Sequence, residues 1–182
     1  MTRQNHVSPA EPGGTKPRGS TAQGNKGALY STEERKRRDE SVWTLVQGVL
    51  APVQFVVFLV SLGLVLRTLS TGEGAWAADA SIVLKTLILY TIMVTGSIWE
   101  KVVFGKWLFA PAFFWEDVFS MLVLALHTAY LVMLFGGFGS FEARMTVALA
   151  GYGAYVVNAG QFLWKLRVAR LEAAPSPEAV PA

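Results

Sequence analysis

Three carboxylates and one imidazole stand out because of the company they keep. Glu116, Asp117 and His127 lie in the stretch Lys101 to Tyr130, KVVFGKWLFAPAFFWEDVFSMLVLALHTAY, and Glu100 closes the apolar run just before it. Ionisable groups entering a lipid-spanning helix are costly unless something is asked of them. Acids crowded together out of water do not all ionise, so one keeps its proton and serves as a general acid while another takes a proton from water. At ~100° per residue, Glu116, Ser120, Val123, His127 and Tyr130 fall within about 60° of one another, whereas Asp117 lies about 100° from Glu116. Glu116 and His127 share that face but sit ~16 Å apart along it, too far for a direct hydrogen bond. His127 suits either a hydrogen bond between helices or axial ligation of a porphyrin-type metal.

Other polar residues recur in apolar stretches. Gln47 and Gln54 share one helical face, Asn158 and Gln161 precede Lys165, and Thr86, Tyr90, Met93, Ser97 and Glu100 form a stripe. Taken by depth, Gln47, Glu100, Glu116, Asp117, Asn158 and Gln161 define one polar region open toward the cytoplasm. The competing reading is hydrogen bonding between helices, with Glu100 facing water or pairing with Lys101 or Lys106. Trp107, Phe113, Phe114 and Trp115 suit an interfacial turn, and equally the wall of a site for a flat apolar ligand.

The elements that must position these groups are legible from composition. The chain has 182 residues, 52% of them hydrophobic and 16% charged, with a mean hydropathy of +0.38. The expected class is an all-α polytopic membrane protein. Spans at about 42–66, 82–104, 112–135 and 145–164 are long enough to cross ~30 Å of hydrocarbon, giving a four-helix bundle. Basic residues flank the first span (Arg35 to Arg38), the middle loop (Lys101, Lys106) and the end of the last span (Lys165, Arg167, Arg170). The positive-inside rule therefore puts both termini in the cytoplasm. Residues 31–172 form the membrane domain, between a disordered tail at 1–30, which holds His6, and another at 173–182.

Local signals add detail. Ser31 and Glu34 have the spacing of a capping box. Pro52 is expected to kink the first span and Pro111 to sit in the first turn of the third. Lys85, one turn inside the second span, is expected to snorkel outward, with pairing to an inner polar group as the alternative. Ala148, Gly151 and Ala159 permit close helix contact.

The absence of cysteine removes disulfide, thiolate and iron–sulfur chemistry, and two histidines preclude an all-histidine site within one subunit. The net charge of +3 is accounted for by membrane orientation, and no basic patch interleaved with aromatics points to nucleic acid. A small enzyme for an apolar substrate, a cofactor-binding membrane subunit and a proton-coupled transporter all fit, although no inverted repeat supports the last.

Four long blocks narrow this choice: WTLVQGVLAPVQFVVFLVSLGLVLR, SIVLKTLILYTIMVTGSIWEKVVFG, LFAPAFFWEDVFSMLVLALHTAYLV and YVVNAGQFLWKLR. From about Leu29 to Glu172 the chain resembles the 2-vinyl (3-vinyl) bacteriochlorophyllide hydratase family of bacteriochlorophyll biosynthesis. The resemblance implies a lyase that adds water across the C3 vinyl group of a chlorophyllide-type tetrapyrrole, giving a 3-(1-hydroxyethyl) derivative that a dehydrogenase later oxidises. It implies a multi-pass protein of the bacterial inner or intracytoplasmic photosynthetic membrane. Its partners would be the pigment, the lipid bilayer and neighbouring pathway enzymes. No cofactor is expected beyond the magnesium that the substrate carries. The alternative is a non-catalytic pigment-binding or pigment-handover protein. The sequence-based site has Glu116 as general acid, Asp117 or Glu100 as base or cation stabiliser, Asn158 and Gln161 as orienters of water or of ring substituents, and Gln47 among the substrate-binding residues. His127 is the candidate axial ligand of the substrate magnesium, Trp107, Phe109, Phe113, Phe114 or Trp115 lines the ring, and Lys101, Lys106 and Lys165 are candidate partners of its propionate.

Overall fold

The computed structural model describes residues 29–173. The expectations for His6 and for the tails at 1–28 and 174–182 fall outside the described residues. Within them the chain is all-helical: α1 (Thr32–Glu40), α2 (Val42–Thr71), α3 (Ala75–Phe104), α4 (Phe114–Gly136) and α5 (Phe141–Ala173). By length and composition α2, α3 and α4 can each cross a membrane. Helix α5 is as long, but Asn158, Gln161, Lys165, Arg167 and Arg170 interrupt its apolar character.

Local chemistry sets the ends that matter. Ser31 and Glu34 form a reciprocal capping box, with the Ser31 N–H donating to the Glu34 carboxylate at 2.8 Å; such caps contribute about 1 kcal/mol. Helix α3 stops at Gly105, whose φ of 77° is a left-handed conformation that only glycine adopts cheaply. Pro52 lies inside α2. Pro111 lies outside α4, which begins at Phe114 with Phe113 as its cap. It occupies the second position of a turn closed by the Phe113 N–H donating to the Ala110 carbonyl at 2.8 Å, a place for which the fixed φ of proline is well suited.

Two antiparallel hairpins, α2–α3 and α4–α5, make the bundle. They meet along α3 and α4, and again where Phe58 and Ser61 of α2 reach Tyr152 and Tyr155 of α5. The core between them contains Phe58, Val65, Ile82, Leu89, Val123, Tyr130, Met145 and Tyr152. The stripe Glu116, Asp117, Ser120, Val123, His127 and Tyr130 on α4 is buried. Outward faces carry exposed Val49, Val56, Leu87, Val94, Val132 and Val156, which suits hydrocarbon rather than water. Tyr30, just before α1, packs with Val103, Phe113 and Ala169. Both ends of the described chain therefore lie at one end of the bundle.

Candidate functional site

Helix α3 ends and α4 begins on either side of a re-entrant turn, and that turn organises the acids. The Phe109 N–H donates to Asp117 Oδ2 at 2.7 Å, and the next N–H, of Ala110, donates to Glu100 Oε2 at 3.1 Å. Phe109 has φ of 58°, the one non-glycine residue in the left-handed region among those described. This conformation aims two successive N–H groups at two carboxyl groups, in the manner of an anion-binding nest. Glu100 and Asp117 are both buried, and their bonds to adjacent N–H groups bring the two carboxyl groups to one place. Two carboxyl groups sharing one buried site do not both ionise readily, because like charges out of water repel.

Glu116, adjacent in sequence, has a different partner. Its Oε2 lies 3.2 Å from Lys165 Nζ, a close ion pair without the alignment of a directed hydrogen bond, and the same ammonium donates to the Ala112 carbonyl. One turn further along α4, Ser120 accepts from Asn158 Nδ2 at 2.9 Å. That bond fixes the Asn158 amide, leaving its Oδ1 and the neighbouring Gln161 Oε1 buried with no hydrogen-bond partner among the described residues. The arrangement thus offers a buried carboxyl pair, an ion-paired carboxylate and unfilled amide acceptors, which are the parts needed to protonate one atom and deprotonate a bound water.

Aromatic rings roof this region. Phe113 packs against Tyr30, Trp99, Phe104 and Phe162, and Lys165 lies 5.0 Å from its centroid. Arg38 caps Tyr30 from outside; burial raises the Tyr30 phenol above its usual range, and the nearby guanidinium offsets part of this. The expected open polar region is therefore covered: Glu100, Glu116 and Asp117 are only 4–5% exposed. Of the aromatic candidates Phe113 turns inward, whereas Trp107, Phe114 and Trp115 are exposed. Gln47 is engaged elsewhere, donating to Thr95 at 2.8 Å. Lys101 donates to the Gly105 carbonyl and lies over Trp107, so it does not pair with Glu100.

A second polar cluster lies further along the bundle, away from this roof. Lys85 does not snorkel. It is fully buried, with Nζ 3.0 Å from His127 Nε2 and surrounded by the rings of Phe58, Tyr152 and Tyr155. The interior supplies an acceptor and three π faces, which together substitute for water. His127 Nδ1 is 2.8 Å from the Val123 carbonyl. With Nδ1 donating and Nε2 accepting, both nitrogens are occupied, and ligation of a magnesium by His127 would require Lys85 to withdraw. Tyr152, Ser61 and Ser81 complete the cluster, and Tyr130 donates to Asp79. Sequence reasoning singled out Lys85 but put snorkelling first, and it did not identify Tyr152 or the Phe109 and Ala110 amides. Tyr152 lies with Ala148, Tyr155 and Asn158 on the core face of α5, a detectable signal, but no side chain advertises a backbone N–H.

The family model for 2-vinyl bacteriochlorophyllide hydratase matches residues 30–168. Two curated relatives carry the same description. The protein of Cereibacter sphaeroides is 68% identical over 144 residues, 79% of this chain and 89% of its own. That of Rhodobacter capsulatus is 68% identical over 147 residues, 81% of this chain and 85% of its own. No solved structure matches.

Proposed function

From the premise that this chain belongs to the 2-vinyl bacteriochlorophyllide hydratase family, we propose that the carboxyl cluster at the α3–α4 turn carries out the hydration. The chain is a hydratase of bacteriochlorophyll biosynthesis and its substrate is a tetrapyrrole. The shared family reading does not favour a non-catalytic handover protein. The reaction protonates the terminal carbon of the vinyl group, leaving positive charge on the carbon attached to the ring, where the macrocycle delocalises it. Water adds to that carbon and loses a proton. The proton that is delivered and the one that is released balance, so no oxidant or reductant is needed.

The observation that carries the assignment is the pairing of Glu100 with Asp117 on the successive N–H groups of Phe109 and Ala110. This pair holds a proton and is the proposed general acid. Glu116 beside Lys165 is the proposed carboxylate that orients water, steadies the cation and accepts the proton. The roles thus divide differently from the sequence-based assignment of Glu116 as acid. Asn158 and Gln161 orient the water, and Phe113 faces the ring. Trp107, Phe114 and Trp115 would meet the pigment only from the lipid side. The substrate brings its own magnesium, and His127 is not assigned to it.

The proposed placement is a multi-pass protein of the bacterial inner or photosynthetic membrane. Helix α5 runs the length of α4 and the two described ends share one end of the bundle, which favours a fourth crossing with both termini cytoplasmic. Neighbouring pathway enzymes are proposed recipients of the alcohol. The test is to supply vinyl pigment in isotopically labelled water to Asp117→Asn and Glu116→Gln proteins extracted intact from membranes. Loss of label incorporation is expected; wild-type rates in both would refute the assignment.

A further inference from the structure

Gln54, midway along α2, is 2% exposed. Neither its Nε2 nor its Oε1 has a hydrogen-bond partner among the described residues. A buried amide left open at both ends costs free energy in any apolar interior and is rare enough to require a reason. Its position supplies one. Helices α2 and α5 run antiparallel and touch where the Phe58 ring meets Tyr155, centroids 4.8 Å apart. One turn from this contact toward the acid cluster lies Gln54 on α2, and at the matching position on α5 lies Asn158, whose Oδ1 is likewise open. Asn158 in turn is bonded to Ser120, one turn above Glu116 on the same face of α4.

We propose that Gln54 and Asn158 form a binding subsite for an O–H group: the water consumed in the hydration and the hydroxyl it becomes in the product. The inference rests on the acid–base reading of the neighbouring carboxyl cluster. A water molecule donates twice and accepts up to twice. Asn158 Oδ1 matches one hydrogen and Gln54 Nε2 one lone pair, leaving the second hydrogen for the Glu116 carboxylate and the second lone pair free to attack carbon. A secondary alcohol both donates and accepts and satisfies the same amide. The vinyl group does neither, so Gln54 discriminates by what is bonded to the ring-attached carbon and leaves the macrocycle itself to the apolar walls. Tyr155 and Phe58 bound the subsite on the side of the Lys85 cluster.

The experiment uses the full chain in detergent, with Gln54→Met as an apolar side chain of similar length. Dissociation constants for the vinyl pigment and for its hydroxyethyl product are read by fluorescence quenching, alongside the hydration rate. The expected result is unchanged affinity for the vinyl pigment, about tenfold weaker affinity for the hydroxyethyl pigment, the equivalent of one lost hydrogen bond, and a slower hydration rate. Asp117→Asn in the same assay should lose rate while keeping the wild-type ratio of affinities, so a failure of the acid–base reading and a failure of this inference give different patterns. A wild-type ratio of the two affinities in Gln54→Met overturns the proposal. If that variant does not fold, the same ratio is measured on Gln54→Asn, which keeps the amide but withdraws it by one methylene, with the same two outcomes.

Discussion

The bundle holds two buried polar clusters that differ in how completely they satisfy themselves. Around Lys85, the groups of His127, Tyr152, Ser61 and Ser81 each have a partner, and aromatic rings close the remaining directions. Around Asp117, a left-handed Phe109 is held in place, two carboxyl groups accept from successive backbone N–H groups, and Asn158, Gln161 and Gln54 keep atoms open. Saturated networks rigidify, and unsaturated ones wait for something to bind. A buried lysine or histidine in a membrane helix invites a catalytic reading by its identity alone. Here bonding argues the opposite: the Lys85–His127 pair joins the two hairpins, and the chemistry is proposed for the acids.

The largest expected effects break this comparison at the acids. Replacing both Glu100 by Gln and Asp117 by Asn keeps shape and hydrogen-bonding capacity but removes the exchangeable carboxyl proton. Hydration should fall by roughly 10² to 10⁴-fold, the usual contribution of general acid–base catalysis, with a thermal midpoint near that of the wild type. Incorporation of labelled water measures the first and detergent-phase melting the second. The reverse pattern belongs to the other cluster. His127→Ala deprives the Lys85 ammonium of its acceptor and should cost about 1–3 kcal/mol of stability. The rate per folded molecule should stay near the wild-type value. A His127→Ala protein that melts normally but no longer hydrates would exchange the roles of the two clusters.

How far these clusters were legible in the sequence follows from the kind of signal each one leaves. The helices themselves were plain, because apolar runs of that length have few alternatives, and the α4 stripe from Glu116 to Tyr130 followed from ~100° spacing. Burial of Asp117 together with Glu116 did not follow. Asp117 lies off that stripe and is drawn inward by the Phe109 N–H, which periodicity cannot register. Lys85 was misread because distance to a helix end favours snorkelling, whereas the outcome was decided by three aromatic residues from α2 and α5 and by one histidine from α4. Long-range contacts of this kind become visible only once the hairpins are docked.

Smaller effects sharpen the boundary between the clusters. At Gly151 an added Cβ would lie 2.9 Å from His127 Cε1 and 3.0 Å from Nδ1. That ring is held at both nitrogens and cannot swing aside, so Gly151→Ala should push α4 and α5 apart at this level. Overpacking of this sort costs about 1–3 kcal/mol, again as a lowered melting temperature. Because Asn158 and Ser120 lie two turns nearer the acids, their contact should survive, and activity at low temperature should be retained.

The smallest effect tests whether strain serves the acid cluster. Phe109 adopts φ of 58°, a conformation that costs an L-residue about 1–2 kcal/mol relative to glycine. What the site takes from this residue is its N–H on Asp117, and its side chain, 40% exposed, makes a ring contact with Phe114. Phe109→Gly should therefore keep both amide bonds. The relief of strain and the entropy gained by the unfolded chain largely cancel, leaving stability within about 1 kcal/mol of the wild type. Phe109→Val, whose branched Cβ tolerates the left-handed region poorly, should instead lose hydration while the melting temperature moves little, since the turn can relax only by withdrawing its N–H from Asp117. If the valine variant kept full activity, the paired amides would be packing detail, and the distinction between a strained, open cluster and a relaxed, closed one would lose its functional meaning.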